Sequence, residues 1–491
     1  MLLHLDRESR VSLHEQIRAQ VALHIDQASV QPGSCLPSTR KLAGALGINR
    51  STVCRAYDEL WAQGYLEARS GSYSTVRARL RLAPASAAGT TVLDFERLSA
   101  PAPRRLFPHV SRMMSLAALA ADPNLINFSS LTADRTLCPL EDIQRAFRKV
   151  ITTRGKAIFD YGETAGYRPL RNTIAVNLRV HGVAVTTDEI LVTSGSQHGF
   201  DLLLRLFGRP GAVAVLESPT YSMAIKSCQQ HRIGIASIPM RPDGMDLNVL
   251  ERKLSSRDVA FVYSIPNFQN PTGITTTQAH RERLLALCEA HRVPLVEDGF
   301  EEELKYFGRA VLPIKSMDHK GVVIYLGTFS KVVFPGLRVG WIAAHPSCIE
   351  RLLAISRVAS LSGNVLTQAA VSRFCDSGAY EEHIRRVHRT YRPRMRALLD
   401  GLAEHLPKDG VTWTKPEGGY TLFVRTGPRR GLTENAAIEH LRAAGVLVSP
   451  GSLYFAKMPK DFCFRLSLAN VTPEKIVEGC RRLGKALKGL F

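Results

Sequence analysis

The strongest constraint on the fold of this chain is a repeating pattern that begins near residue 106. From there onward, apolar runs of β-type composition alternate with amphipathic helical patterns. Strands that alternate with helices form mostly parallel sheets, because each crossover places a helix on one face of the sheet. The pattern therefore predicts a large α/β domain over residues 106–491.

Residues 1–76 differ from this pattern and predict three helices and a hairpin. A four-residue period indicates a first helix, whose buried face is Leu13, Ile17, Val21 and Ile25. Ser38 or Thr39 can cap a second helix that ends at Gly47, and INRSTVCRAYDELWAQG starts a third after a tight turn. The string YLEARSGSYSTV predicts two short strands joined by a Gly/Ser turn, a wing.

Composition narrows the class of protein. Residues 77–105 are rich in Ala, Pro, Arg and Ser, lack an apolar period and are typical of a linker. The net charge of +20 suggests a polyanionic partner, for which nucleic acid is the commonest choice. No apolar run is long enough to span a membrane, the N-terminus is charged too early for a signal peptide, and the nine cysteines contain no CxxC pair. These features predict a cytoplasmic protein without a metal site.

The second and third predicted helices have the geometry of a DNA reader. A helix that presents Arg, Ser and Thr at its N-terminus after a tight turn can enter the major groove, with long donors reaching bases and hydroxyls holding phosphates. The predicted DNA-binding residues are Arg40, Arg50, Ser51, Thr52, Arg55 and Ser72. The string LPSTRKLAGALGINRSTVCRAYDELWAQGYLEARSG resembles the winged-helix domain of the GntR family, except at the wing, which reads GSYSTV.

In the large domain, a lysine and an aspartate each follow a buried strand. LGTFSKVVFPGLRVGW places Lys331 after a β-rich run and Arg338 seven residues later, while VPLVEDGF buries Asp298 at a strand end. Burying a charged amine or carboxylate costs folding free energy unless its charge is neutralised or paired with a ligand. A Schiff base would neutralise the lysine, and a pyridinium nitrogen would compensate the aspartate.

Three further strings would suit a cofactor that combines an aldehyde with a pyridinium ring, although each string alone has an ordinary structural explanation. Ser194-Gly195-Ser196-Gln197 offers backbone N–H groups at a helix start, as a phosphate cradle does. Tyr221 follows a strand and could stack on a flat ring, and Asn270 in NFQNPTG could donate to a phenolic oxygen. Together the five strings match what pyridoxal 5′-phosphate (PLP) requires.

Residues 106–491 resemble the fold-type I aminotransferases of the aspartate aminotransferase family. The resemblance implies a smaller C-terminal α+β subdomain, matched by PEGGYTLFV and VSPGSLYF. It implies that Lys331 carries PLP, that Asp298 faces the pyridine nitrogen, and that Asn270 and Tyr221 bind the 3′ oxygen and the ring. It also implies a phosphate site of Ser196, Gln197, Thr328, Ser330 and Arg338, completed by Tyr161 of a neighbouring subunit, and a carboxylate site at Arg465. Relatives often have a tyrosine where this chain has Phe300, which weakens the expectation of efficient transamination.

The order winged helix, linker and aminotransferase-like domain resembles the MocR subfamily of bacterial regulators. The resemblance implies a head-to-tail, domain-swapped homodimer that binds an operator in double-stranded DNA. It implies that the large domain senses PLP, or an amino compound that forms an aldimine with it. Two alternatives stay open: a working aminotransferase with a DNA-binding appendage, and a regulator in which PLP is purely structural.

Overall fold

The computed structural model describes residues 3–9, 11–27, 29–69, 73–77, 94–256, 258–428 and 431–490. The chain divides into two compact units, Met1–Leu98 and Ser99–Phe491. Within the described ranges, no helix is both long and apolar enough to cross a lipid bilayer. No group of three or more potential metal ligands occurs in that part of the chain either.

The first unit is a three-helix bundle with a two-stranded wing. Its elements are α1 (Leu13–Asp26), α2 (Thr39–Leu46), α3 (Arg50–Ala62), β1 (Leu66–Arg69), β2 (Tyr73–Val76) and α4 (Phe95–Leu98). Ser38 caps α2 by accepting a 3.3 Å hydrogen bond from the Lys41 amide, and Gly47 ends it with a φ of +62°. Of the predicted buried face of α1, Ile17, Val21 and Ile25 are buried, whereas Leu13 is half-buried.

The second unit is an α/β domain built on long crossover connections. Its helices are α5 (Pro101–Leu119), α6 (Leu140–Arg154), α7 (Arg168–Val180), α8 (Ser196–Phe207), α9 (Ser222–Gln230), α10 (Leu247–Leu254), α11 (Gln278–His291), α12 (Pro346–Ser360), α13 (Val365–Asp376), α14 (Ala379–His405), α15 (Glu434–Ala443) and α16 (Pro473–Lys488). Its strands are β3 (Ile126–Asn127), β4 (Ile190–Thr193), β5 (Val213–Ser218), β6 (Gly234–Arg241), β7 (Gly244–Met245), β8 (Val259–Ser264), β9 (Leu295–Asp298), β10 (Val323–Thr328), β11 (Gly340–Ala343), β12 (Val411–Trp413), β13 (Thr421–Pro428), β14 (Val446–Leu447), β15 (Ser449–Pro450) and β16 (Asp461–Ser467).

Eight strands form the main sheet in the order β4-β11-β10-β9-β8-β5-β6-β7. The pairs from β10 through β9, β8 and β5 to β6 are parallel, whereas β11 and the short β7 run antiparallel to their neighbours. The central strands are buried along their whole length, as expected where helices cover both faces. The predicted mostly parallel α/β architecture is confirmed.

The smaller C-terminal subdomain is also confirmed. An antiparallel sheet of order β12-β13-β16-β15 packs with α14, α15 and α16 around one apolar core. An early segment joins this subdomain, because β3 pairs in parallel with β14 and Phe128 is buried in the same core. The smaller subdomain is therefore built from two separate parts of the chain, the segment around β3 and the C-terminal segment.

The boundary between the predicted linker and the large domain differs from the structure. Most of the linker, residues 78–93, lies outside the described residues. The last part of the predicted linker is described. It is helical from Pro101, where α5 begins, whereas the sequence predicts that the large domain begins at residue 106. A proline at the first helical position presets φ and loses no helical hydrogen bond, so the Pro/Ala-rich string that reads as a linker also suits a helix start.

Candidate functional site

Parallel strands end at one edge of the main sheet, and a cavity of about 220 Å³ lies there. Residues at or shortly after the ends of β4, β5, β8, β9 and β10 line it, because the carboxyl ends of parallel strands meet at one edge. The sequence-predicted residues on its wall are Ser196, Gln197, Tyr221, Asn270, Asp298, Thr328, Ser330, Lys331 and Arg338. Leu131, Ile265, Phe300 and Pro335 complete the lining.

Asp298 is the last residue of β9, and its carboxylate is only half satisfied. Oδ2 accepts a 2.6 Å hydrogen bond from the hydroxyl of Tyr263, a buried residue that the sequence analysis missed. Oδ1 has no partner among the described residues. Burial raises the pKa of Asp298 to about 6, so the group is mostly ionised at neutral pH. A cationic N–H donor in the cavity would satisfy the free oxygen.

Lys331 follows the end of β10 by three residues and lies on the cavity wall. Its Nζ donates a 2.9 Å hydrogen bond to the carbonyl oxygen of Leu131. Burial lowers the pKa of the Lys331 amine, because the charged form is desolvated. A lysine with a lowered pKa is a better nucleophile toward an aldehyde than one on the surface.

The start of α8 and the loop after β10 form an anion cradle. Gly195 precedes the helix with a φ of +88°, and a Cβ there would lie 2.8 Å from Nη2 of Arg338. That nitrogen donates a 2.7 Å hydrogen bond to the carbonyl of Ser194, which holds the guanidinium beside the helix start. The buried Ser330 hydroxyl has no partner among the described residues, and Thr328 Oγ1 accepts a 3.1 Å bond from the Ser330 amide. Helix N–H groups, a hydroxyl and an arginine together suit a phosphate.

Gln197 and Tyr221 lie on the wall beside this cradle. Gln197 Nε2 donates a 2.8 Å hydrogen bond to Ser227, and its buried Oε1 has no partner in the part of the chain described. Tyr221 precedes α9, and burial raises the pKa of its hydroxyl. A neutral phenol is therefore retained over the whole physiological range.

Arg465 lies on β16 and reaches the cavity through Asn270. Its Nη1 donates a 3.1 Å hydrogen bond to Asn270 Oδ1, and its Nη2 donates a 2.7 Å bond to the carbonyl of Ser129. The buried Nε has no partner in the described chain, and the guanidinium lies 5.2 Å from the ring centroid of Tyr454. Arg465 keeps donor capacity for an anion.

Of the two remaining predicted features, Phe300 belongs to this cluster and Tyr161 lies apart from it. Tyr161 is 82% exposed and does not line the cavity of its own chain, so its role toward a neighbouring subunit stays a prediction. Phe300 is buried on the wall and brings no hydroxyl.

A buried acid near Lys331 was not predicted from the sequence. Glu301 is fully buried, and burial raises its pKa to about 8. The sequence signal for Glu301 is its position three residues after Asp298, in the acidic string VEDGFEEEL.

The predicted DNA-reading residues lie on α2 and α3 of the first unit. Arg40, Arg50, Ser51 and Arg55 are exposed, and Thr52 is half-buried. Arg50 Nε donates a 3.3 Å hydrogen bond to Thr39, and Arg55 forms a 3.5 Å ion pair with Glu59 one turn later. Ser72 lies outside the described residues.

Comparison with known proteins identifies two domain families in the chain. The family model for aminotransferase class I and II matches residues 124–483, and that for bacterial regulatory proteins of the gntR family matches residues 13–76.

Relatives of both kinds are similar to this chain. Aromatic-amino-acid aminotransferase 1 of Thermococcus litoralis is 36% identical over 81% of this chain and 95% of its own length. The probable rhizopine catabolism regulatory protein MocR of Rhizobium meliloti is 30% identical over 100% of this chain and 96% of its own. A solved structure of LysN, the alpha-aminoadipate aminotransferase of Thermus thermophilus complexed with N-(5'-phosphopyridoxyl)-L-leucine, is 31% identical. It superposes with a TM-score of 0.73 over 81% of this chain and 99% of that one.

Proposed function

Because the chain belongs to the MocR subfamily of GntR-type regulators, with a GntR winged helix fused to a class I and II aminotransferase domain, we propose that it is a PLP-dependent transcriptional regulator. Its large domain senses PLP or an amino compound that reacts with it, and its winged helix binds an operator. The observation that carries this proposal is the presence, in one chain, of an exposed arginine-bearing α3 and a cavity with Lys331 and Asp298 on its wall.

The residues of the cavity fit PLP. Asp298 Oδ1 is a buried acceptor without a donor, which the protonated ring nitrogen would supply, and the unpartnered Ser330 hydroxyl lies in the anion cradle, both among the described residues. Lys331 would hold the cofactor through its amine, Tyr221 would stack on the ring, and Asn270 would bind the 3′ oxygen. When bound, PLP supplies an aldehyde that condenses reversibly with primary amines and a ring that withdraws electrons.

Sensing would follow from competition at Lys331 and recruitment of Arg465. An effector with a primary amine would displace the lysine, and an effector carboxylate would pair with the guanidinium. That pairing would replace the hydrogen bonds from Arg465 to Asn270 and Ser129. These bonds join β16 to the cavity edge of the large sheet and to the segment after β3. A differential interaction at this position can bias a two-state dimer by the ~1–3 kcal/mol usual for allosteric coupling.

On the DNA side, α3 would lie in the major groove of each half-site. Arg50 and Arg55 would reach bases or phosphates, and Ser51, Thr52 and the helix start would hold the backbone. A homodimer would bind two half-sites, and a head-to-tail arrangement would let Tyr161 complete the partner's phosphate site.

A second candidate function is transamination. The similarity to the Thermococcus litoralis aminotransferase and the retention of Lys331, Asp298 and Arg465 favour it. Phe300 counts against it, because a wall without a hydroxyl donor loses about 1 kcal/mol of hydrogen bonding to the 3′ oxygen.

DNA binding in the presence and absence of PLP separates these functions. The probe is the DNA fragment upstream of the chain's own gene, footprinted with cofactor-free protein, with PLP, and with PLP plus each member of an amine panel. A regulator should change its affinity or footprint with PLP or with one amine. The same affinity and footprint in every condition would overturn the sensing proposal. Turnover of ~1–1000 per second with an amino-acid and 2-oxoacid pair, without any footprint, would indicate a dedicated enzyme.

A further inference from the structure

Glu301 is an unusual carboxylate within this domain. Its side chain is fully buried, Oε2 accepts a 3.2 Å hydrogen bond from the Tyr420 amide, and Oε1 has no partner among the described residues. The neighbouring acids differ: both oxygens of Glu302 accept from Asn267, and Glu303 pairs with His181 at 3.1 Å. A buried carboxylate with one free oxygen is costly to keep without a use.

The loop before β13 holds this carboxylate against the protein interior. Gly419 has a φ of +69°, and a Cβ there would lie 2.5 Å from Glu301 Oε2. A Cβ on Gly418 would lie 2.2 Å from the Leu304 carbonyl, which itself accepts a 2.8 Å hydrogen bond from the Gly419 amide. Only glycine, which has no Cβ, lets the backbone of this loop lie so close to Glu301 and to the Leu304 carbonyl.

Tyr420 connects Glu301 to Lys331. Its amide donates to Glu301, and its hydroxyl donates a 2.8 Å hydrogen bond to the Lys331 carbonyl oxygen. One residue of the C-terminal subdomain therefore fixes both the acid after β9 and the lysine after β10.

The charges of the acid and the lysine also act on each other, although Nζ of Lys331 hydrogen-bonds to the Leu131 carbonyl and not to Glu301. Burial lowers the pKa of the Lys331 amine, and the negative charge of Glu301 opposes that lowering. Burial in turn raises the Glu301 pKa to about 8, which the lysine opposes. The other titratable or charged groups that face one or both of them are Asp298, Arg338, Arg465, Tyr306 and Tyr420.

We propose that Glu301 is a positioning residue that sets the protonation state of Lys331. The Lys331 ammonium gives up a proton and Glu301 gains one, which leaves a neutral amine ready to attack an aldehyde. When the amine is freed, it regains a proton and the carboxylate becomes ionised again. The pair therefore changes charge without leaving a net charge in the interior. This role rests on the proposed function, because it serves the exchange of Lys331 with an effector amine.

Competitive labelling of the cofactor-free protein tests this role. Acetic anhydride modification of Lys331 is followed by mass spectrometry as a function of pH, which gives the midpoint at which the amine becomes reactive. In Glu301→Gln the midpoint should fall by about 1 pH unit, because an opposite charge nearby is lost. Glu302→Gln is the matched control, since it removes an adjacent acid that bonds to Asn267, and its midpoint should equal that of the wild type.

Glu301→Met is the second variant, because exchange of a buried charge for an apolar side chain of similar volume is often neutral for folding. In Glu301→Met the midpoint of Lys331 labelling should also fall by about 1 pH unit. A wild-type midpoint in either folded variant overturns the proposal. Neither PLP nor DNA is present, so this result is independent of whether the sensing proposal survives. With PLP bound, the pH at which the cofactor absorbance changes should move downward in the same variants.

Discussion

Arg465 Nη1 lies 3.1 Å from Asn270 Oδ1, so a strand of the C-terminal subdomain is hydrogen-bonded to the cavity edge of the main sheet. The same guanidinium also bonds to the Ser129 carbonyl. An effector carboxylate that recruits Arg465 must therefore compete with contacts that join the two parts of the domain. Through this competition, a ligand in the cavity can change the position of the C-terminal subdomain relative to the main sheet.

Arg465→Gln should weaken the response to amines that have a carboxylate. The concentration for half-maximal change in cofactor absorbance should rise about 10–100-fold, because hydrogen bonds to a charged group contribute ~1.5–3 kcal/mol. Amines without a carboxylate should keep their wild-type concentration dependence. Arg425→Gln, an exposed arginine on β13, is the control and should leave both classes unchanged. An equal loss for both classes of amine would place Arg465 outside the carboxylate site.

Lys331→Ala should abolish the absorbance of the lysine-bound cofactor and leave the domain folded. Loss of a buried amine removes a desolvated charge, so no large destabilisation is expected. Absorbance spectra with PLP and far-UV circular dichroism measure the two effects. Lys226→Ala, which removes a half-buried lysine of α9, should keep the spectrum. An unchanged spectrum in Lys331→Ala would mean that another lysine carries the cofactor.

Asp298→Asn should change the pH dependence of stability in the cofactor-free protein. The folded pKa of Asp298 is about 6, above its ordinary value of 3.8, so the folded state binds more protons than the unfolded state between these values. The free energy of unfolding therefore falls as pH rises through this window, by on the order of 2–3 kcal/mol. Asparagine does not titrate, so the variant should lose this part of the decline.

Urea denaturation at pH 4, 5, 6 and 7.5 measures the difference between Asp298→Asn and the wild type. The difference isolates Asp298 from Glu217 and Glu297, whose raised pKa values of about 7 give declines of the same sign. Asp243→Asn, an exposed acid, should follow the wild-type curve. Asp298→Asn should also bind PLP more weakly, because the ring nitrogen loses its ionic partner. Parallel stability curves for Asp298→Asn and wild type would contradict the assignment.

Arg55→Ala should weaken operator binding and leave PLP binding unchanged. If Arg55 contacts a phosphate, the slope of log affinity against log salt should fall by about 1. Arg18→Ala is a matched control, because Arg18 on α1 also pairs with Glu59, at 3.3 Å. Fluorescence anisotropy over a salt series measures both variants. Equal losses in the two variants would indicate that Arg55 acts by supporting the bundle rather than by touching DNA.

How much of the site could be predicted depends on where each residue lies relative to a strand. Asp298 ends a strand, and Asn270 and Lys331 follow strands, that are recognisable from apolar runs. Parallel strands bring such positions to one edge. The relation of Glu301 to Tyr420 could not be predicted, because it requires the C-terminal subdomain to close on the sheet. Leu131 accepts the Lys331 hydrogen bond through its backbone carbonyl, and such a contact has no sequence signature. The sequence pattern places Pro101 in the linker, because prolines occur both in loops and at helix starts.

The final prediction concerns Tyr161, whose side chain is 82% exposed and absent from the cavity of its own chain. If it completes the phosphate site of a partner, Tyr161→Ala and Lys331→Ala should complement each other in mixed dimers. In such a dimer, the subunit that retains Lys331 would face a partner that retains Tyr161, which leaves one intact site. The other site would carry both defects.

Co-expression with two affinity tags isolates the mixed dimer, and PLP titration by absorbance measures its affinity. One site per mixed dimer should bind with wild-type affinity, whereas the Tyr161→Ala homodimer should bind several-fold more weakly at both, since a hydrogen bond to a charged phosphate is lost. The Lys331→Ala homodimer supplies the baseline without a cofactor-bearing lysine. Because a Tyr161 that served its own chain would leave every site of the mixed dimer defective, the absence of a wild-type site there would refute sharing between subunits.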